Sequence, residues 1–197
     1  MILCNYIGEY GIRTYLWGGF NLIDSFGIYK KAELLIRKSG TNNVLQIANN
    51  LGIKLYYENY EKLLGMYTCR WKHRIIFLNN NLEDYMLQMV LAHEIGHDIL
   101  HRDLASEGLK EFTLFNLKNI TEYEANAFAA HILLKNEDIL TLARDGYDVA
   151  QIASALNSHI NLLLIKMQEM NKMGFDFNVP YHPRNNFLKN VSANLNF

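Results

Sequence analysis

The sequence predicts an α+β fold, in which a small, mostly antiparallel, three-stranded sheet packs with one long helix and a C-terminal helical region. β-Branched and aromatic residues dominate three short runs near the middle of the chain. Segments with helical periodicity come before and after these runs. Both prolines, Pro180 and Pro183, lie near the end, so no proline interrupts the earlier helices.

The predicted elements alternate with clear start and stop signals. An amphipathic helix is expected over residues 24–38, and a second, capped by Thr41, over VLQIANNL up to Gly52. IKLYY, GMYTCRW and RIIFL are the three predicted strands, at residues 53–57, 65–71 and 74–78. Asn81 is the expected N-cap of the longest helix, over 82–101. The remaining helices are predicted over residues 121–134, 137–144, 148–156 and 159–173.

The length of 197 residues suits one domain with a small appendage. We expect an N-terminal extension of unknown role over 1–24, the main domain over 25–145, and a helical appendage and tail over 146–197.

With 19 basic and 20 acidic residues, the net charge of -1 gives no general attraction to nucleic acid or acidic lipid. Two cysteines, no secretory signal and no long apolar run predict a cytoplasmic protein with reduced thiols and no membrane span.

The motif that carries chemistry is HEIGH, within LAHEIGHDILH at residues 91–101. On a helix, His93 and His97 lie one turn apart and project from the same face, so both imidazoles can bind one zinc ion. Glu94 is poorly placed to be a ligand but can take a proton from water, which is the general-base role in H-E-x-x-H. Gly96 lacks a side chain, so another element can approach the helix closely there.

A catalytic zinc usually has three protein ligands, and the third is open to alternatives. Asp103, six residues after His97, is one, although no glycine provides the turn that would bring it inward. Glu124 is favoured, because it lies on the i, i+4 row with Phe128 at the edge of an apolar stripe and a buried glutamate needs a counter-charge. Glu122 is predicted to be a first-turn helix charge nearer the solvent.

Other polar residues have secondary roles. His101 is expected either to lie beside the site without binding metal, or to stabilise the helix C-terminus from a half-exposed position. His131 is expected to be buried with a hydrogen bond. Tyr67 and Tyr123 are candidates for stabilising an oxyanion.

Three blocks of sequence together resemble the ImmA/IrrE-type zinc metallopeptidases, especially short members encoded by phages and mobile elements. They are LQIANNLGIKLYYE, GMYTCRWKHRIIFLNNNLEDYMLQMVLAHEIGHDILH and EYEANAFAAHILL, and the resemblance covers roughly residues 28–135. It implies a zincin-like, gluzincin-type site with one Zn²⁺, in which His93, His97 and Glu124 are ligands and Glu94 is the base. Two departures are Lys135-Asn136, where the family often has Met-Pro, and residues 1–24, to which the resemblance does not extend.

The resemblance also implies a biological role. Similar proteins are cytosolic anti-repressor endopeptidases, which cut a helix-turn-helix repressor and so derepress a prophage or mobile element. The expected partner is therefore a repressor protein.

The residues alone leave two other functions open. VAQIASALNSHINLLLIKMQEM has the helix-turn-helix outline of a DNA-binding transcriptional regulator, but its second helix carries few cations, so direct DNA binding is disfavoured. A metal-binding regulator without proteolysis would keep the metal ligands but would not need Glu94.

Overall fold

The computed structural model describes residues 23–107, 109–111 and 119–179. Within these ranges the chain forms seven α-helices, one 3-10 helix and one mixed sheet, which confirms the α+β class. All but two residues of the predicted extension 1–24 lie outside the described part, as does the tail after Val179. The proposed domain boundaries therefore stay predictions.

The helices begin and end close to the predicted positions. Asp24 caps the first helix by accepting a 2.9 Å hydrogen bond from the Gly27 amide. Asn43, and not Thr41, caps the second, since its side chain accepts from the Gln46 amide at 3.1 Å. The bounds are α1 (Ser25–Ser39), α2 (Val44–Asn50), α3 (Asp84–Leu100), α4 (Ile120–Leu133), α5 (Asn136–Arg144), α6 (Val149–Ala155) and α7 (Ile160–Lys172), with the 3-10 helix at Arg102–Glu107.

The long helix α3 starts two residues later than predicted. Glu83 occupies its N-cap position without a side-chain hydrogen bond, so Asn81 is not the cap. No described helix has both the length and the apolar character needed to cross a membrane.

The sheet has one more strand than predicted. Its strands are β1 (Lys54–Glu58), β2 (Gly65–Arg70), β3 (His73–Asn79) and β4 (Leu109–Glu111), in the order β1-β3-β2-β4. The pairs β2–β3 and β2–β4 are antiparallel, whereas β1 runs parallel to β3. The sheet is therefore mostly antiparallel, as predicted, and contains one parallel pair.

Helix α3 lies at the centre of the molecule. One side packs on β2 and β3, and another packs along α4. Helix α4 in turn contacts α1 and α7. Both α3 and α4 are buried along most of their length, so the residues on them are held in a rigid, water-poor environment.

Helix α7, the second helix of the possible DNA-binding unit, is a core element. Lys166 itself is buried, with Nζ 3.0 Å from Nδ1 of His131 on α4. Burial lowers the pKa of Lys166 to about 8, and burial together with Lys166 lowers that of His131 to about 3. A helix that packs inward in this way has little surface left to enter a DNA groove. Its buried residues are Asn161, Leu162, Leu163, Leu164, Ile165, Lys166, Met167, Glu169 and Met170.

A buried carboxylate fastens α3 to the sheet. Asp98 is fully buried and accepts hydrogen bonds from the Tyr67 hydroxyl at 2.6 Å and from Arg74 and Arg102 at 3.1 Å each. Burial, reinforced by Asp98, raises the pKa of the Tyr67 hydroxyl, which stays protonated and donates. Two cations and one hydroxyl thus compensate the charge that α3 carries into the core.

Replacing Tyr67 with phenylalanine should destabilise the protein. The change deletes a buried donor to a charged acceptor, and we expect a loss of about 1–3 kcal/mol in the free energy of unfolding. Urea denaturation measures it. The matched control is Tyr57→Phe, because Tyr57 lies on β1 with 45% of its surface exposed and should leave the unfolding free energy unchanged. Equal stability of the two variants would contradict a stabilising role for the Asp98 network.

Candidate metal centre

Two successive turns of α3 bring two imidazoles together. His93 and His97 are both buried, and their Nε2 atoms lie 3.0 Å apart. Their rings meet edge to face, with centroids 4.7 Å apart. The predicted one-turn spacing on one helix face produces this geometry.

Gly96 allows α4 to reach these imidazoles. A Cβ atom at this position would lie 3.1 Å from both the Cα and the carbonyl oxygen of Ala125. The two helix backbones are therefore close enough that a side chain at residue 96 would press on the main chain of α4. The expected close approach of another element at Gly96 is present in the structure.

The carboxylate that faces both histidines is that of Glu122, in the first turn of α4. Its Oε2 lies 3.2 Å from Nε2 of His93, and its Oε1 lies 3.5 Å from Nε2 of His97. The ligand atoms of the three residues all lie within 4.8 Å of one another. Only 14% of the Glu122 side chain is exposed, against 1% and 2% for the two histidines. The cluster therefore opens towards solvent on the Glu122 side.

The spacing of these atoms fits a tetrahedral metal ion. Ligand atoms about 2.0 Å from zinc in tetrahedral geometry are about 3.3 Å from each other. The two Nε2 atoms are 3.0 Å apart, and each contacts a different oxygen of the Glu122 carboxylate, at 3.2 and 3.5 Å, so the separations bracket that value. Two imidazole nitrogens and one carboxylate oxygen also form a donor set that catalytic zinc sites use. The residues present therefore fit a divalent metal.

The protonation states favour metal binding as well. Nδ1 of His93 lies 3.1 Å from Oδ1 of Asn126, an acceptor, so Nδ1 carries the proton and Nε2 presents its lone pair to the cluster. Burial lowers the pKa of His97 to about 4, although the Glu122 carboxylate opposes that shift. His97 is thus a neutral imidazole at pH 7, which is the form that binds metals.

Glu94 is fully buried on α3, directly after the first histidine. Strand β2 begins against it, at Gly65. A Cβ atom on Gly65 would lie 2.7 Å from Oε1 of Glu94 and 2.6 Å from Cγ1 of Val90. The absence of a side chain at residue 65 therefore makes room for the Glu94 carboxylate.

Glu124 does not occupy the position expected from the sequence. Its Oε2 lies 2.9 Å from Nε2 of His101, and the carboxylate that faces His93 and His97 belongs to Glu122 instead. Glu122 therefore contacts the first two histidines of the α3 row, and Glu124 contacts the third.

The apolar stripe does not distinguish Glu122 from Glu124, because α4 is buried on nearly every side and burial does not identify the face that meets α3. Ala125 and Asn126 do identify it, since they contact Gly96 and His93 and follow Glu122 at i+3 and i+4.

The remaining candidate residues make other contacts or are exposed. Asp103 is exposed in the 3-10 helix that follows α3. The Tyr67 hydroxyl binds Asp98, and the Tyr123 hydroxyl donates to Glu169 at 2.5 Å. Both tyrosine hydroxyls are thus engaged in hydrogen bonds to carboxylates. Of the two positions expected for His101, the structure shows the one beside the site, and the residue is buried, not half-exposed.

Comparison with known proteins identifies the family. The model of the peptidase family described as the IrrE N-terminal-like domain matches residues 48–181. The chain belongs to this family. The predicted resemblance to ImmA/IrrE-type metallopeptidases is confirmed, and at the level of the family so is the prediction of a peptide-bond hydrolase. Membership also implies a metal cofactor, which agrees with the His93, His97 and Glu122 cluster.

Two relatives illustrate the match. The chain is 31% identical over 150 residues to Metallopeptidase ImmA of Bacillus subtilis (strain 168), covering 68% of this chain and 79% of the relative. It is 34% identical over 103 residues to an uncharacterized immunity region protein of Bacillus phage phi105. That second match covers 52% of this chain and spans 65% of the phage protein.

Gly65→Ala should disturb the protein at Glu94. The added methyl group would overlap both the Glu94 carboxylate and the buried Val90 side chain, and overpacking of this kind costs about 1–3 kcal/mol. Thermal unfolding measures the lost stability, and the Gly65→Ala, Val90→Ala double variant tests the cause. Removing the Val90 side chain should relieve part of the clash, so strictly additive losses would contradict a steric origin.

Proposed function

We propose that this protein is a zinc-dependent endopeptidase in which His93, His97 and Glu122 hold one Zn²⁺. The observation that carries the proposal is the convergence of three donor groups at ligand spacing, with Glu94 next to the first of them on the same helix. Membership of a metallopeptidase family supports it independently.

The chemistry follows from the H-E-x-x-H arrangement. The bound zinc would supply Lewis acidity, polarising the scissile carbonyl and making a water molecule more acidic. Glu94 accepts the proton that this water loses as its oxygen forms a bond to the carbonyl carbon. When the C–N bond breaks, Glu94 returns the proton to the leaving amine, so the products are a carboxylate and an amine. Asn126 keeps the His93 ring oriented throughout.

The proposed substrate is the helix-turn-helix repressor of a prophage or mobile element, cut in the cytoplasm. One relative is named as a metallopeptidase and another as a phage immunity region protein, which together associate this fold with peptidase activity and with phage immunity. The burial of α7 favours a protein substrate over DNA as the partner, because the second helix of the candidate DNA-binding unit is part of the core.

Glu94→Gln should abolish cleavage of the repressor while zinc stays bound. Glutamine has a similar shape but cannot accept the proton, and loss of a general base reduces the rate by about 10²–10⁴-fold. Incubating purified repressor with each variant and following fragments by mass spectrometry measures the rate, with zinc content checked by elemental analysis. A Glu94→Gln protein that cleaves at the wild-type rate would rule out this peptidase mechanism.

Glu122→Ala should lose zinc. It removes one of three protein ligands, so the zinc dissociation constant should rise by at least about 100-fold, and cleavage should fall in parallel. Competition with a chromophoric chelator measures the constant. The matched control is Glu61→Ala, because Glu61 is exposed between β1 and β2. Unchanged zinc affinity in Glu122→Ala would exclude Glu122 as a ligand.

A further inference from the structure

We propose that His101 and Glu124 form a hydrogen-bonded relay that orients His97 for the metal, with neither residue a ligand itself. The relay rests on the proposed metal centre, whose third ligand is Glu122. His101 and Glu124 are positioning residues in this scheme, since they act only through His97.

Three side chains line up with two short contacts between them. Nδ1 of His97 lies 3.0 Å from Nδ1 of His101, and Nε2 of His101 lies 2.9 Å from Oε2 of Glu124. The His101 side chain is 6% exposed and that of Glu124 is 23% exposed, so the relay runs from the buried cluster to the surface. The contacts are therefore made largely away from competing water.

With His101 as a neutral imidazole, the two contacts allow one arrangement of donors and acceptors. The Glu124 carboxylate only accepts, so Nε2 of His101 carries a proton and donates to it. The second nitrogen of a neutral His101 is then an acceptor, which receives the proton on Nδ1 of His97. With that proton on Nδ1, Nε2 of His97 presents its lone pair towards His93 and Glu122. The relay thus selects the tautomer of His97 that can bind a metal.

Residues of α4 orient both histidines through their Nδ1 atoms, in two different ways. Asn126 contacts Nδ1 of His93 directly. His97 lies one turn further along α3, and there the support comes from Glu124 through His101. Residue 101 is the C-cap of α3, and its amide donates to the His97 carbonyl at 2.9 Å, so its backbone position is fixed as well.

The position of Glu124 distinguishes this role from that of a ligand. The carboxylate that lies within 3.5 Å of both imidazole Nε2 atoms belongs to Glu122. Oε2 of Glu124 instead lies at hydrogen-bond distance from His101. A ligand role and a relay role for Glu124 predict different responses to loss of His101.

The first test is zinc affinity in a set of variants of the full chain, measured by chelator competition. Glu122→Leu and Glu124→Leu are matched, being the same substitution two residues apart on one helix. Loss of an outer-shell partner weakens metal binding by about 10–100-fold, so we expect that range for His101→Leu and about tenfold for Glu124→Leu. Glu122→Leu should cost more than either.

A double-variant cycle then distinguishes a relay role of Glu124 from a ligand role. If Glu124 acts only through His101, Glu124→Leu adds no further loss in the His101→Leu background. Glu124→Gln keeps an oxygen acceptor for His101 and should recover most of the affinity. Multiplicative losses in the double variant, or a Glu124→Leu loss as large as that of Glu122→Leu, would overturn the relay.

The second test needs no metal. In the metal-free protein labelled with ¹⁵N in its histidines, the His97 ring should show a protonated Nδ1 and a bare Nε2, and His101→Leu should shift this population towards the other tautomer. An unchanged His97 tautomer in His101→Leu would overturn the relay. A wild-type chain that binds no zinc would instead refute the metal centre, and the tautomer measurement would still report on the relay alone.

Discussion

The close packing of α3 on α4 at Gly96 and Ala125 is the constraint on which the rest of the site depends. At this point the two backbones approach so closely that not even a methyl group fits comfortably between them. Glu122 can face His93 and His97 only because of this approach. A bulkier residue at position 96 would push α4 away from α3 and so separate Glu122 from the two histidines. Metal binding would then weaken, because metal–ligand distances tolerate shifts of only a few tenths of an ångström.

The polar residues between these helices are placed in an otherwise apolar core, and such groups are costly unless they have partners. On the sheet side, Asp98 is compensated by two arginines and a tyrosine. On the α4 side, the imidazoles contact Asn126 and the Glu124 carboxylate through His101. The histidine motif is thus one part of a longer polar layer, which runs through the interior and fixes the orientation of each ring.

The sequence predicts those features that depend on interactions between residues close together in the chain. The three central strands, the main helices and the facing pair His93 and His97 follow from periodicity, capping and the i, i+4 rule. Strand order does not follow, because pairing β1 with β3 in parallel is a long-range choice. The same limit applies to α4, which is buried on nearly all sides, so its apolar pattern does not single out Glu122 as the glutamate that faces both imidazoles.

The β2–β3 hairpin is closed by a two-residue turn at its exposed end. Trp71 and Lys72 both adopt left-handed backbone conformations, at φ 48° and 67°, and 92% of the Trp71 surface is exposed. Left-handed geometry costs about 1–2 kcal/mol for each residue that is not glycine. The tight connection nevertheless keeps β2 in register with β3, so that Gly65 at the far end of the strand meets Glu94. The two-residue turn at one end of the hairpin therefore helps to align Gly65 with Glu94 at the other end.

Because the donor groups come from two helices, any cation bound between them also joins those helices. Helix α4 contacts α1 and α7, so release of the ion would weaken a junction shared by most of the helical layer. Mass action sets the size of this effect: above the dissociation constant, each tenfold rise in free ion adds about 1.4 kcal/mol to the free energy of unfolding. The resistance of the folded chain to unfolding is thereby tied to the metal supply of its surroundings.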